Sequence, residues 1–291
     1  MIMNFKISPV ERLIIKNSKY IRIAMLIALV LIFFAVLAGT NIPEVVIVLL
    51  YLVLGTVLAL AIEYLAVRPA AALTKFLTNS LDLEETVARA DALLEVYRPA
   101  QRSYIGAVTY IKSVALFDMG KVIRAKQLCE EYIEASNVKR PPYFQIFQMH
   151  GLLSSIALKN ENYPEYKRQI DLAKKAYKRR PASQRKLIER NRLLTVLRND
   201  LKIYTSEEYN EKFERTLLLP LSYTPDKRKL KGEAAPMTKL TAYSNCFKYF
   251  ETLSMPEKQR EYAQKIIETG NEQFETFLKA KEFLENADED T

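Results

Sequence analysis

The sequence holds no tryptophan, one histidine, two cysteines and seven glycines, and each scarcity removes a class of chemistry. With His150 as the single histidine, a multi-histidine metal site is excluded, and any histidine base has to be this residue. It precedes Gly151 on a segment patterned as a packed helix, so a structural role is expected. Cys129 and Cys246 lie far apart with no CxxC spacing, which argues against a zinc site or disulfide framework and suits a reducing cytosol. Both sit among apolar neighbours, where a cysteine behaves as a small hydrophobe. No glycine-rich loop precedes a helix, and the Walker, HExxH and GxSxG patterns are missing. Alternating runs bounded by hairpin turns are missing too. The expectations are an all-α fold, no catalysis, no cofactor and no metal.

Charge is absent from two long stretches. From Ile23 to Ile42, and again from Val45 to Ile62, there is no Asp, Glu, Lys or Arg, and a tight break at Gly39–Glu44 separates the runs. Each run is about the length of the roughly 20 apolar residues that a helix needs to cross a bilayer. Lipid offers no partner for an exposed peptide group, so helices are the open choice. A transmembrane hairpin over 23–67 is expected, with spans at about 23–40 and 45–67. Lys6, Arg12, Lys16, Lys19 and Arg22 precede the first run, Arg68 and Lys75 follow the second, and the connection carries no basic residue. Positive flanks stay inside, which predicts a multi-pass protein of the cytoplasmic membrane, N-in and C-in. A cleaved signal peptide fits less well, because a second apolar run follows at once.

Around the hairpin, residues 1–22 read as a basic flank, either flexible or lying along the inner interface. Arg22, Glu63 and Arg68 are assigned to the membrane interface. Glu63 is the one carboxylate at any depth, and such a group is a functional candidate by default. Its place about a turn before Arg68 favours a side chain that reaches headgroup water. Pro69 is expected to bend or interrupt the helix, leaving 68–79 as a juxtamembrane connector.

Beyond it the pattern is helix after helix. Ser80 or Asp82 caps a segment over 83–97, Pro99 opens a helix that stops at Met119-Gly120, and a third runs from Val122 to before Pro141. Further helices are read at 143–177, 182–204, 206–219, 237–253, 256–270 and 271–285, with Ser206 as a helix start and Gly270 as a stop. The break at 220–236 carries Lys227-Arg228-Lys229-Leu230-Lys231 and reads as a long basic loop. Residues 287–291 form an acidic tail.

Residues 104–136 combine a helix, a turn at Gly120 and a helix with Ala125 five residues on. Ser113 and Ala125 stand at small positions, Leu116 and Val122 at large positions beside the turn, and Tyr132 and Ile133 near the end. This unit resembles the tetratricopeptide repeat (TPR), a helix pair of about 34 residues in which small side chains let the helices approach. A second unit, 143–177, offers Gly151 at the small position but has a longer turn and Tyr166 where alanine is usual. The signature tryptophan is missing and the closing proline is displaced to Pro141. The resemblance implies a TPR-like α-solenoid over 80–286 and a scaffold or adaptor role, with binding and no turnover. Composition points to a bacterial source.

The formal net charge is +9. The richest basic stretch spans Lys174 to Arg198, and Lys174, Tyr177, Lys178, Arg185 and Arg192 are the candidate contacts for a partner protein or acidic peptide. The basic loop is a candidate for anionic lipid. Nucleic acid ranks behind these, since no aromatic stacking motif accompanies the charge. The competing assignment is a membrane subunit of a transport or lipid-handling complex, with the hairpin as the working part and Glu63 as its ionisable group.

Overall fold

The computed structural model describes residues 9–39, 44–99, 101–137, 141–179, 199–222 and 234–289, and within the first two helices some side chains lie outside that description. Among the described residues every regular element is a helix. In chain order they are α1 (Pro9–Gly39), α2 (Glu44–Ser80), α3 (Leu83–Val96), α4 (Arg102–Asp118), α5 (Val122–Ala135), α6 (Tyr143–Lys159), α7 (Tyr163–Lys178), α8 (Glu211–Ser222), α9 (Pro236–Thr252), α10 (Pro256–Thr269) and α11 (Glu275–Glu289). A further helical stretch occupies 199–205.

α1 and α2 form an antiparallel pair. The Phe33 and Tyr51 rings meet edge to face at 5.2 Å, and Gly55 brings its backbone near Leu29. The hairpin expected over 23–67 thus exists as two packed helices. Among the described residues, however, no helix is long and apolar enough to cross a membrane.

The expected connector at 68–79 is corrected. α2 continues through Pro69 to Ser80 as one helix, although a proline lacks the amide hydrogen and crowds the preceding turn. Continuation is favoured by burial just beyond it, where Ala70, Leu73 and Leu77 enter the domain core. Burying one such leucine contributes about 1.5–3 kcal/mol, comparable to the proline penalty. The hydroxyls of Thr74, Thr78 and Ser80 donate to carbonyls one turn earlier. The helix ends at Leu81, whose φ of 56° is left-handed.

Asp82 then caps α3, its carboxylate accepting from the Glu85 amide at 2.9 Å. The cap is completed from the far end of the chain. Gln273 Oε1 accepts from the amides of Leu83 at 2.6 Å and Glu84 at 3.1 Å, and Asn271 Nδ2 donates to the Leu81 carbonyl at 3.0 Å. The C-terminal helices therefore return to the root of α2. The largest core joins Leu73 and Leu77 of α2, Leu93 of α3, Val108 of α4, Phe213 of α8, Phe250 of α9 and Ile266 of α10. A second core lies between α4, α5 and α6, around Leu116, Cys129, Met149 and Leu153.

The α4–α5 pair follows its sequence expectation. Ser113 and Ala125 are wholly buried, and Gly120 takes the positive φ of 76° that the turn requires. A closer approach sits elsewhere: a Cβ at Gly106 would lie 2.1 Å from the Tyr132 hydroxyl oxygen, which donates to the Arg102 carbonyl. At Gly151, by contrast, nothing lies within 4 Å of an added Cβ, so no partner helix uses that gap. Tyr166, in the alanine position, is buried against Leu158 and Ala157.

Three helix boundaries differ from expectation. Ser206 does not start a helix; its hydroxyl donates back to the Lys202 carbonyl. α8 begins at Glu211, where Asn210 Oδ1 accepts from the Phe213 amide. α8 also runs through Pro220 to Ser222, three residues into the expected loop. The last helix starts at Glu275 rather than Asn271, because Asn271 spends its side chain on Leu81 and on the Gln273 amide.

Candidate functional site

Two regions carry features that a domain core does not need. One is the surface of the α1–α2 pair. Val30, Leu31, Phe34, Val45, Leu49, Leu52, Val53 and Leu60 all present their side chains outward, with Val45 at 70% exposure. Beyond Tyr64, the exposed large apolar residues are only Ile123, Tyr209, Leu219 and Leu278 among the described ones. Scattered single residues of that kind are ordinary, whereas a contiguous apolar surface marks an interaction face.

The root of this pair is fixed to the domain. Arg98, just after α3, donates from Nη2 to Asn17 Oδ1 at 2.8 Å, and its guanidinium lies 5.2 Å from the Tyr20 ring. Together with the unbroken α2, this sets the hairpin's direction relative to the helical domain.

The second region is a set of charges where α4, α6 and α11 meet. Lys159, at the end of α6, pairs with Glu275 at the start of α11, and its ammonium stands 5.0 Å from the Phe117 ring. Glu275 also holds Lys279 at 3.1 Å. Burial pushes the Glu275 carboxyl up, but hydrogen bonds from Lys159 and Lys279 outweigh it and hold the group below its ordinary range. Beside this pair sits Asp118, whose Oδ2 is sealed from solvent without a hydrogen-bond partner. Burial pushes its carboxyl up to about 7; Lys159 opposes that shift and Glu275 adds to it. Asp200, in the stretch at 199–205, is likewise pushed up to about 7 by burial.

Two other polar groups are satisfied structurally. Glu214 of α8 accepts from Tyr209 at 2.7 Å, Lys258 at 2.9 Å and Tyr262 at 2.7 Å. Burial raises its carboxyl, yet these donors together leave it lowered. Lys112, buried on α4, reaches Asp91 at 2.5 Å.

The residues singled out from sequence separate. Lys174 and Lys178 are exposed on α7, and Lys174 pairs with Asp171 at 3.0 Å. Tyr177 is buried against Phe147, with ring centroids 5.9 Å apart, which corrects its assignment as a contact residue: its ring fills the α6–α7 interface. Arg185 and Arg192 lie outside the described residues, as does the basic stretch at 227–231. The side chains of Arg22 and Glu63 do also, and Arg68 is exposed on α2.

His150 is buried, with Nδ1 at 2.7 Å from Gln169 Oε1. Burial lowers its pKa, against the opposing pull of Gln169. Both cysteines are buried, and burial pushes Cys129 up to about 11 and Cys246 up to about 12, far from a reactive thiolate. Among the described residues no three His, Cys, Asp or Glu side chains gather as a metal site.

Sequence reasoning missed Asp118 and Glu275. The signal available was faint: a carboxylate two residues before a turn glycine, and another opening the last helix. Compared with protein-family models, curated proteins and solved structures, the chain matches none.

Proposed function

We propose that this chain is a membrane-anchored adaptor: the α1–α2 hairpin sits in the cytoplasmic membrane, and α3 to α11 offer a helical surface to a partner protein, without turnover. The observation that carries the anchor is the concentration of exposed large apolar residues on the hairpin, against four scattered ones elsewhere among the described residues. The described parts of α1 and α2 alone do not amount to a span. The full sequence through the same helices does hold two uncharged runs of the needed length, 23–42 and 45–62. A water-facing monomer rarely leaves so large an apolar surface bare, and lipid covers it without any further protein. The basic residues flanking the hairpin orient both termini inward.

The adaptor half draws on the helix pairs α4–α5 and α6–α7, read as TPR-like units, and on the exposed Lys174 and Lys178, which suit an acidic segment. Anchoring raises a partner's effective concentration, so weak contacts suffice. Fold by analogy does not establish function, and the partner is defined here only by its chemistry.

The adaptor role is tested by crosslinking in intact membranes followed by identification of the attached protein. Specific, charge-dependent capture that weakens in the Lys174→Glu, Lys178→Glu double variant is expected; capture indifferent to both charges would set the assignment aside. Glu63→Gln separates the transport assignment, since an adaptor keeps its capture when this carboxylate is neutralised. Any domain-only version has to retain Ala70, Leu73 and Leu77, which belong to the core.

A further inference from the structure

A buried carboxylate oxygen with no donor is costly, because ionisation there is opposed by lost hydration. Asp118 Oδ2 is in that position among the described residues, and it stands beside a tie between the end of α6 and the start of α11, the Lys159–Glu275 pair. The turn after α4 is shaped around this tie. Gly120 has a φ of +76°, and a Cβ there would lie 2.9 Å from Glu275 Oε2 and 3.3 Å from its Cδ. The positive φ accounts for the glycine, and Glu275 packs in the space beside it.

We propose that Asp118 is the proton sensor of this clasp: with its carboxyl neutral, Lys159 holds Glu275, and with its carboxyl ionised, Lys159 is drawn to Asp118 and α11 is released from α6. A proton is the one cation that reaches a sealed oxygen without needing a cavity. The groups that face the site are Tyr110 on α4, Lys159 on α6, Asp200 with Tyr204 at 199–205, and Glu275 on α11. Lys279 holds Glu275 from the other side, and Cys129 of α5 adjoins Tyr110. Among the described residues Lys159 is the cation that both pairs with Glu275 and acts on Asp118, so the two carboxylates compete for it. Asp200 shares the sign of Asp118 and deepens the local negative charge once both ionise.

The direction follows from linkage. The folded-state carboxyl titrates above its ordinary value, so the closed clasp gains stability below that ordinary value and loses it as pH rises through about 7. Release of α11 also frees Gln273 and Asn271, which lie just ahead of it and seal the junction between α2 and α3. The clasp thereby connects proton concentration to the root of the hairpin.

The test is hydrogen exchange of the α11 amides in the full-length chain at pH 6 and pH 8, corrected for intrinsic exchange. Wild type is expected to lose about tenfold protection over that interval, given one carboxyl shifted from 3.8 to about 7. Asp118→Asn should hold its protection at both values, and Glu275→Gln should be weakly protected at both. An unchanged wild type, or a response that survives in Asp118→Asn and vanishes in Asp200→Asn, would overturn the assignment. Should Asp118→Asn not fold, carboxyl carbon titration of wild type decides: coincidence of the Asp118 midpoint with α11 release supports the sensor, and separate midpoints overturn it.

Discussion

The two halves of α2 meet opposite surroundings. Before Pro69, Val45, Leu49, Leu52, Val53 and Leu60 face outward, Leu52 at 63% exposure; after it, Leu73 is at 0%. Composition already divides them, since Val45 to Ile62 is an uncharged run while the second half carries Thr74, Lys75, Thr78, Asn79 and Ser80. Coverage separates them further: α3, α4 and α9 pack on the second half, while the first half packs on α1. One continuous helix thus carries both the exposed apolar surface and the first strut of the domain core.

The sharpest way to break this comparison is to truncate a leucine in each half. Leu73→Ala is expected to cost about 2–5 kcal/mol by the transfer and cavity terms of a closed core. Leu52→Ala should cost under about 0.5 kcal/mol, since no packed neighbour is lost. Thermal unfolding of the two variants in the same detergent measures the difference, and equal losses would show that the halves do not differ in packing.

Within the domain, the Glu214 network gives a smaller effect with a defined pH sign. Glu214→Gln should cost about 1.5–3 kcal/mol, the range for a hydrogen bond to a charged group. Because the folded carboxyl lies below its ordinary value, its stabilisation is present above that value and lost as pH falls through the lower one. Urea midpoints from pH 6 down to pH 3 should therefore converge for wild type and variant. Gly106→Ala, forced against the Tyr132 hydroxyl, is expected to lose about 1–3 kcal/mol. Gly151→Ala, with open space around it, should gain about 0.5–1 kcal/mol. Gln273→Ala removes a remote cap and should cost about 1 kcal/mol, read as a fall in thermal midpoint.

Helix type and most helix starts were legible in the sequence because local chemistry fixes them: Asp82 caps α3, Gly120 turns α4 into α5, and Pro236 and Pro256 open α9 and α10. The start of α8 was misread because Ser206 and Asn210 are both able caps, and the choice belongs to Tyr249, whose hydroxyl receives the Asn210 amide at 2.9 Å. The persistence of α2 through Pro69 depends on contacts with α9, far away in the chain. Tyr177 looked like a contact residue because it neighbours a basic run, yet a helix face is assigned by its partner, here Phe147. The clasp escaped for the same reason: Asp118, Lys159 and Glu275 are brought together only by the return of the C-terminal helices.

The most direct measurement is sedimentation of native membranes after an alkaline carbonate wash. The account predicts that the full-length chain stays in the pellet and leaves it only with detergent. Full-length chain in the supernatant of that wash would contradict it.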